Sequence, residues 1–330
     1  MTRVPSPFAF WRPDGPNASH RDARTLDLST WVGSVALANP IMTASGTAGH
    51  GAELARYFAL HDLGAVVVKS LSVAPWPGNP APRVHALPGG MLNSVGLQGP
   101  GIAAWLTEEL PALAATGATV VASIWGRTVE EYAAAAALMA AAPPAVVAVE
   151  VNLSCPNLDG GRHLFAQSPA ATADAMAATA ACGRPRWAKL TPTVTDITEI
   201  AAAAMGAGAE ALTLVNTALG MAIDPETRRY RLGAGAGGGG LSGAAVHSMA
   251  VRAVHDVHVA LPDAPIVGVG GVACAPDAVE LLLAGARAVQ VGTATLADPR
   301  APRRVLDDLA RWCRRHGVAR VCDLIGGAHE

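Results

Sequence analysis

Two stretches near the end of the chain decide how it folds: Pro265-Ile266-Val267-Gly268-Val269-Gly270-Gly271 and Ala288-Val289-Gln290-Val291-Gly292-Thr293. Each is a short apolar run that stops at glycine, the pattern of a strand buried on both faces. Working back from them, similar runs occupy Pro40–Ala44, Ala65–Lys69, Thr119–Ile124, Val146–Asn152, Arg186–Leu190 and Ala211–Asn216. Ala- and Leu-rich segments of helical character alternate with these strands at roughly residues 51–61, 101–116, 128–142, 169–181, 195–207, 243–260, 276–284 and 300–316. Eight strands alternating with eight helices predict an α/β fold, a closed (β/α)8 TIM barrel. An open doubly wound sheet would carry its glycine-rich phosphate turn after the first strand. Here the first strand runs into Ser45-Gly46-Thr47, and the glycine turns follow the last two strands. That distribution favours the barrel.

Ahead of the barrel, Thr25–Thr30 and Ser34–Leu37 read as a hairpin, and residues 1–24, rich in Pro and Arg and aperiodic, as an extended arm. Residues 25–330 then form one domain. Two loops are long for such a fold, Leu71–Gly101 after the second strand and Thr217–Ser242 after the sixth. Long loops at the C-terminal face of a barrel are where sites are built. The second contains Gly233–Gly240, six Gly and two Ala, which reads either as a flexible linker or as part of the site, since it leads into Leu241-Ser242-Gly243.

Composition narrows the class. The 330 residues carry a net charge of −2, with 51% hydrophobic and 15% charged side chains. A large core is affordable and wholesale disorder is excluded. With pI ≈ 6.5 there is no broad basic face for nucleic acid. Tyr132–Val149 is uncharged but mostly Ala and split by Pro143-Pro144, so no membrane span is expected. Five scattered Cys without a C-x-x-C pair suggest neither disulfides nor a metal or cluster site, and the expected setting is reduced and cytoplasmic. The first residues show no basic region followed by an apolar run, so no secretory signal is expected.

Of the 24 basic residues only two, Lys69 and Lys189, are lysine, and both end barrel strands. They belong to a wider pattern of polar or glycine strand ends: Ser45-Gly46, Lys69-Ser70, Asn152-Leu153-Ser154-Cys155, Lys189, Asn216-Thr217, Gly270-Gly271 and Gly292-Thr293. A single Asn or Lys there is usually structural; the whole set converging on one mouth is hard to explain as solvation. A half-buried ammonium needs an anionic or electron-rich partner. Glu150, two residues inside Asn152, could serve one lysine, which leaves a ligand for the other. Glycines ending strands seven and eight suit a phosphate. An elongated anionic cofactor across the mouth follows, and flavin mononucleotide (FMN) and pyridoxal phosphate both satisfy it.

Cys155, in Asn152-Leu153-Ser154-Cys155-Pro156-Asn157, sits in a polar loop rather than a core, so its thiol (ordinarily near about 8.5) is a candidate nucleophile or base. Cys182, Cys274, Cys313 and Cys322 read as small buried hydrophobes. The ten His residues complete no metal-ligand spacing, and no metal is expected.

The motifs Met42–Thr47, Gly78-Asn79-Pro80-Ala81-Pro82-Arg83, Met91–Gln98, Asn152–Asn157, Val215-Asn216-Thr217, Gly239–Gly243, Val269-Gly270-Gly271 and Val291-Gly292-Thr293 occur in that order. Together they resemble the class 1 dihydroorotate dehydrogenases, FMN-dependent barrels of pyrimidine biosynthesis, over about residues 26–327. The resemblance implies oxidation of dihydroorotate to orotate. Cys155 would take the C5 proton while C6 gives hydride to the flavin N5. It implies that Lys69, Asn93, Ser94, Asn152, Asn157, Asn216 and Thr217, with backbone groups of Gly96 and Leu97, bind the substrate. Ala44, Ser45, Gly46, Lys69, Ser70, Asn152, Lys189 and Val215 would line the flavin, and Gly243, Gly270, Gly271, Gly292 and Thr293 would hold its ribityl phosphate.

Leu92–Gln98 and Leu219-Gly220-Met221-Ala222-Ile223-Asp224 lean toward the class 1B form. That form passes electrons to NAD through a separate subunit with FAD and an iron–sulfur cluster. A homodimer using fumarate, or a heterotetramer with that subunit, are the assemblies implied. The alternative activity is an FMN barrel acting on another cyclic amide or pyrimidine base. Two departures stand out. Trp125 occupies a position where the family usually carries a small residue, and Ala244–Ser248 replaces the usual Pro-Ala-Ile-Lys-Pro.

Overall fold

The computed structural model describes residues 26–154, 165–232 and 238–329. The expected arm 1–24, Cys155, Asn157 and residues 233–237 of the glycine run lie outside them.

Strands β1 (Thr30–Val32) and β2 (Val35–Leu37) form an antiparallel hairpin turning at Gly33-Ser34. The first strand was expected at 25–30. It runs later because Val32, Val35 and Leu37 are the residues that face inward. Asp27 instead bridges to Arg320, near the other end of the domain. The hairpin plugs the N-terminal end of the barrel, where its three apolar side chains join Met42, Val67, Val121, Trp187 and Val267 in one cluster.

The chain continues through β3 (Ile41–Thr43), β4 (Val66–Val67), β5 (Val84–Leu87), β6 (Gly90–Asn93), β7 (Val120–Ile124), β8 (Val146–Asn152) and β9 (Arg186–Leu190). It ends with β10 (Ala211–Leu214), β11 (Ala218–Met221), β12 (Ile223–Asp224), β13 (Arg229–Tyr230), β14 (Gly238–Ser242), β15 (Ile266–Val269) and β16 (Ala288–Val291). Eight of these make a parallel sheet in the order β3-β16-β15-β10-β9-β8-β7-β4. A parallel bridge between Met42 and Ala65 joins its two edges, so the sheet closes as the eight-strand pattern predicts.

Helices pack outside, among them Val129–Met139, Pro169–Ala178, Ile197–Gly206, His247–Ala260, Ala275–Leu283 and Ala301–His316. Thr128, Ser168 and Asp196 cap three of them by accepting from backbone N–H groups of the first turn. The helix expected at 51–61 is instead two short 3-10 turns, Glu53–Arg56 and Leu60–Asp62. The Glu53 carboxylate accepts from the backbone N–H of His50 and Gly51, just ahead of the first of these turns. Within 101–116 the helix widens over Trp105–Glu109, where Pro111 has no N–H to donate back to Thr107.

The two long loops hold strands that sequence patterning did not separate. β11, β14, β6 and β5 pair in that order as an antiparallel sheet at the C-terminal rim. The glycine run is partly this sheet. A Cβ on Gly239 would stand 2.5 Å from the Asn93 carbonyl, and one on Gly240 2.1 Å from the Thr217 hydroxyl. Among the described residues no helix is long and apolar enough to cross a membrane.

Barrel closure has a tight point at Gly64. Its N–H donates to the Ile41 carbonyl at 2.8 Å and to Asn39 Oδ1 at 3.1 Å, and a Cβ there would lie 2.1 Å from the Asn39 carbonyl oxygen. Gly64→Ala is expected to cost about 1–3 kcal/mol by overpacking. Chemical denaturation checks it; an unchanged midpoint would show that the seam yields freely.

Candidate active site

All eight barrel strands run parallel, so their C-terminal ends share one rim, and a cavity of about 260 Å³ opens there. It is lined by Ala44, Ser45 and Gly46 after β3, Lys69 and Ser70 after β4, Asn152 on β8, Lys189 on β9, and Val215, Asn216 and Thr217 after β10. Gly270 and Gly271 after β15, and Gly292 and Thr293 after β16, complete the ring. The rim sheet contributes Asn93 and, just beyond β6, Gly96 and Leu97; Gly243 follows β14. Ser94, just beyond β6, is buried but is not among the lining residues. Cys155 and Asn157 lie outside the described residues. Their neighbour Ser154 lines the cavity.

The two lysines differ. Lys189 points inward with 4% exposure, and its Nζ donates to Glu150 Oε1 at 3.2 Å and toward Gln290 Oε1 at 3.5 Å. Gln290 Nε2 donates to the other Glu150 oxygen at 2.8 Å. Both Glu150 and Gln290 are fully buried. Glu150 therefore pairs with Lys189, the partnership that sequence spacing left open, while Lys189 still reaches the cavity wall. Lys69 is only part-buried, and a Cβ on Gly46 would stand 3.5 Å from its Nζ. Gly46 thus lies against that side chain, at φ +91°. Behind it, burial and then the Lys69 charge hold the His50 imidazole below its usual titration range, with Glu53 opposing.

A chain of hydroxyls and amides crosses the mouth. Ser45 and Ser70 are 3.1 Å apart, Ser70 and Ser123 2.9 Å, and Asn152 Nδ2 donates to Ser70 at 3.1 Å. Asn216 Nδ2 bonds the Ser154 carbonyl at 2.6 Å and its hydroxyl at 2.9 Å, with Asn152 Oδ1 at 3.2 Å. Such a network fixes amide orientation before any ligand arrives.

Opposite stands the glycine wall. Gly270 and Gly271 have φ of +147° and +70°, and a Cβ on either would meet a residue of helix His247–Ala260 at 2.6 Å. His247 braces it: Nδ1 lies 2.7 Å from the Gly270 carbonyl and Nε2 3.1 Å from Glu280. In the sequence His247 shows only as a departure from the family pattern, and the one signal of Gln290 is a polar residue inside an otherwise apolar strand.

One pocket therefore combines a glycine wall, a buried ion pair, a second lysine and three amides. Residues 27–312 match the family model described as dihydroorotate dehydrogenase. The chain belongs to the dihydroorotate dehydrogenase family. A Pelobacter propionicus relative named dihydroorotate dehydrogenase B (NAD(+)), catalytic subunit, is 45% identical over 91% of this chain and 98% of its own. One of the same name from Desulforudis audaxviator is 47% identical over 91% and 96%. A Solibacter usitatus relative with a provisional fumarate-type name, dihydroorotate dehydrogenase A, is 43% identical over 92% and 98%. The family resemblance read from the motifs thus holds, and the class 1B lean agrees with the names of the first two.

In this dehydrogenase, Glu150→Gln would leave a buried ammonium without its counter-charge. It is expected to destabilise the fold by roughly 3–5 kcal/mol, and the double variant Glu150→Leu/Lys189→Met to recover most of that. Equilibrium unfolding of both tests the pair; a near-neutral Glu150→Gln would contradict it.

Proposed function

We propose that this chain oxidises dihydroorotate to orotate in pyrimidine biosynthesis, using FMN. The observation that carries the reading is the meeting, in one cavity, of a glycine wall with two lysines and a ring of oriented amides. The donor set fits the cofactor. Gly243, Gly270, Gly271 and Gly292 let backbone N–H groups approach a phosphate without side-chain obstruction, and Thr293, whose hydroxyl is turned to Ser242, adds its own N–H. Lys189, held by Glu150 and Gln290, would meet the electron-rich edge of the ring, and Ala44, Ser45, Gly46, Ser70 and Val215 would line it. When bound, FMN supplies the hydride acceptor.

The rest falls to the chain's own residues. The imide-like ring of the substrate presents alternating donors and acceptors, which Asn93, Asn152, Asn216 and Thr217 can match because amides carry both. Its carboxylate suits Lys69 and the backbone of Gly96 and Leu97. Cys155 takes the C5 proton, and Asn157 adds a further amide. Arginine would be too bulky and planar for either lysine's place.

The NAD-linked names of the relatives support a class 1B route, in which electrons leave through a partner subunit with FAD and an iron–sulfur cluster, the chains forming a heterotetramer around a homodimer. The same reading assigns the protein to the cytoplasm.

Purified protein should be yellow or take up FMN, and orotate should shift the flavin spectrum. No flavin binding at all, or flavin without response to orotate, would overturn the reading. Cys155→Ser should keep its flavin yet slow reduction by dihydroorotate at neutral pH by at least about 100-fold, the range of a lost general base. Rapid single-turnover reduction by that variant would remove Cys155 from the role. Reoxidation tested with fumarate and with NAD plus the partner subunit separates the two acceptors.

A further inference from the structure

The turn at Gly96–Leu97 has a support that lies outside the cavity. Both residues line the site, with φ of +72° and +59°. For Leu97 this is a conformation that side-chain-bearing residues seldom adopt, so neighbouring structure must hold it. Trp76, on the loop after β4, does so at three points. Its backbone pairs with Gly99 in both directions at 2.9 Å, and its indole Nε1 donates to the Gly96 carbonyl at 2.9 Å. Trp125, on the loop after β7, packs on Leu97 and is 1% exposed. The two indoles meet edge to face with centroids 6.3 Å apart. The Arg127 guanidinium covers the Trp76 ring at 3.9 Å, closing the stack from the solvent side.

Peptide geometry links this stack to the site. A trans peptide holds its C=O and the following N–H on opposite sides. Binding the Gly96 carbonyl to Trp76, which is not a lining residue, therefore fixes the Leu97 N–H on the side away from Trp76.

We propose that Trp76, Trp125 and Arg127 are positioning residues, a clamp across two barrel loops that sets the Gly96–Leu97 backbone and through it the affinity and selectivity for an anionic ring substrate. The choice of orotate as probe rests on the activity proposed above. Neither Trp76 nor Trp125 touches the reacting atoms, so the clamp acts on ground-state and transition-state binding alike.

The test compares wild type, Trp76→Phe, Trp125→Phe and Trp125→Ala as flavin-loaded proteins. Trp76→Phe keeps an aromatic ring but removes the indole donor. It should raise the orotate Kd and the dihydroorotate KM about fivefold, as expected for one net hydrogen bond, with kcat and flavin content unchanged. Trp125→Ala should do at least as much, and Trp125→Phe should restore most of the loss. Hydrogen exchange of the segment 91–99 gives a readout that needs no substrate. Exchange there should quicken about tenfold in Trp76→Phe while the barrel strands keep their protection. Unchanged exchange at 91–99, or an orotate Kd within twofold of wild type in both Trp76→Phe and Trp125→Ala, overturns the clamp. A wild type that ignores orotate instead counts against the proposed activity, and the exchange result then decides the clamp alone.

Discussion

Parallel closure is the constraint from which the rest of the molecule follows. A parallel strand can be joined to its neighbour only by a crossover, so every helix lies outside and every strand ends on the same rim. Once Met42 and Ala65 bridge the edges, eight chain segments far apart in sequence deliver their last residues to one ring. The interior this creates must be filled. The hairpin β1–β2 and Trp187 fill its lower part with apolar side chains, and Glu150, Lys189 and Gln290 fill the upper part with a closed set of charges and amides. A lone ammonium would not be tolerated at that depth; paired and hydrogen-bonded, it becomes a fixed positive point beneath the mouth.

Around that point the site is organised before any ligand is present. Asn152 and Asn216 have their amides oriented by Ser70 and Ser154. His247 holds the Gly270 carbonyl, and Trp76 holds that of Gly96. The two carbonyls are set by side chains behind the wall, and the two amides by neighbouring residues of the wall itself. Preorganisation of this kind lowers the ordering penalty of binding and fixes where charge is welcomed during reaction.

Much of this was legible in the sequence, for identifiable reasons. Strands buried on both faces announce themselves as apolar runs ending in Gly, Asn or Lys, and β8, β9 and β16 fall where the pattern puts them. The scarcity of lysine singled out Lys69 and Lys189, and both line the cavity. Periodicity failed in two places: the expected 51–61 helix is two short turns, and the loop strands β5, β6, β11 and β14 are only four or five residues long, with glycine in all but β5, and so show no alternation to read. Ser94, which the family resemblance implied for the site, is buried and does not line the cavity.

By itself the sequence determined the fold class, the rim on which the site lies and the strand-end residues that line the cavity, because each rests on a local pattern of apolar runs and their ends, while the family, and with it Asn93, Gly96, Leu97 and Gly243, was carried by the ordered motifs. Tertiary structure decided the pairings. Which lysine Glu150 neutralises, what holds the Gly270 and Gly96 carbonyls, and why Trp125 is bulky all depend on contacts between loops from different strands. Those contacts are set by barrel geometry across long stretches of chain, and no spacing along the sequence records them.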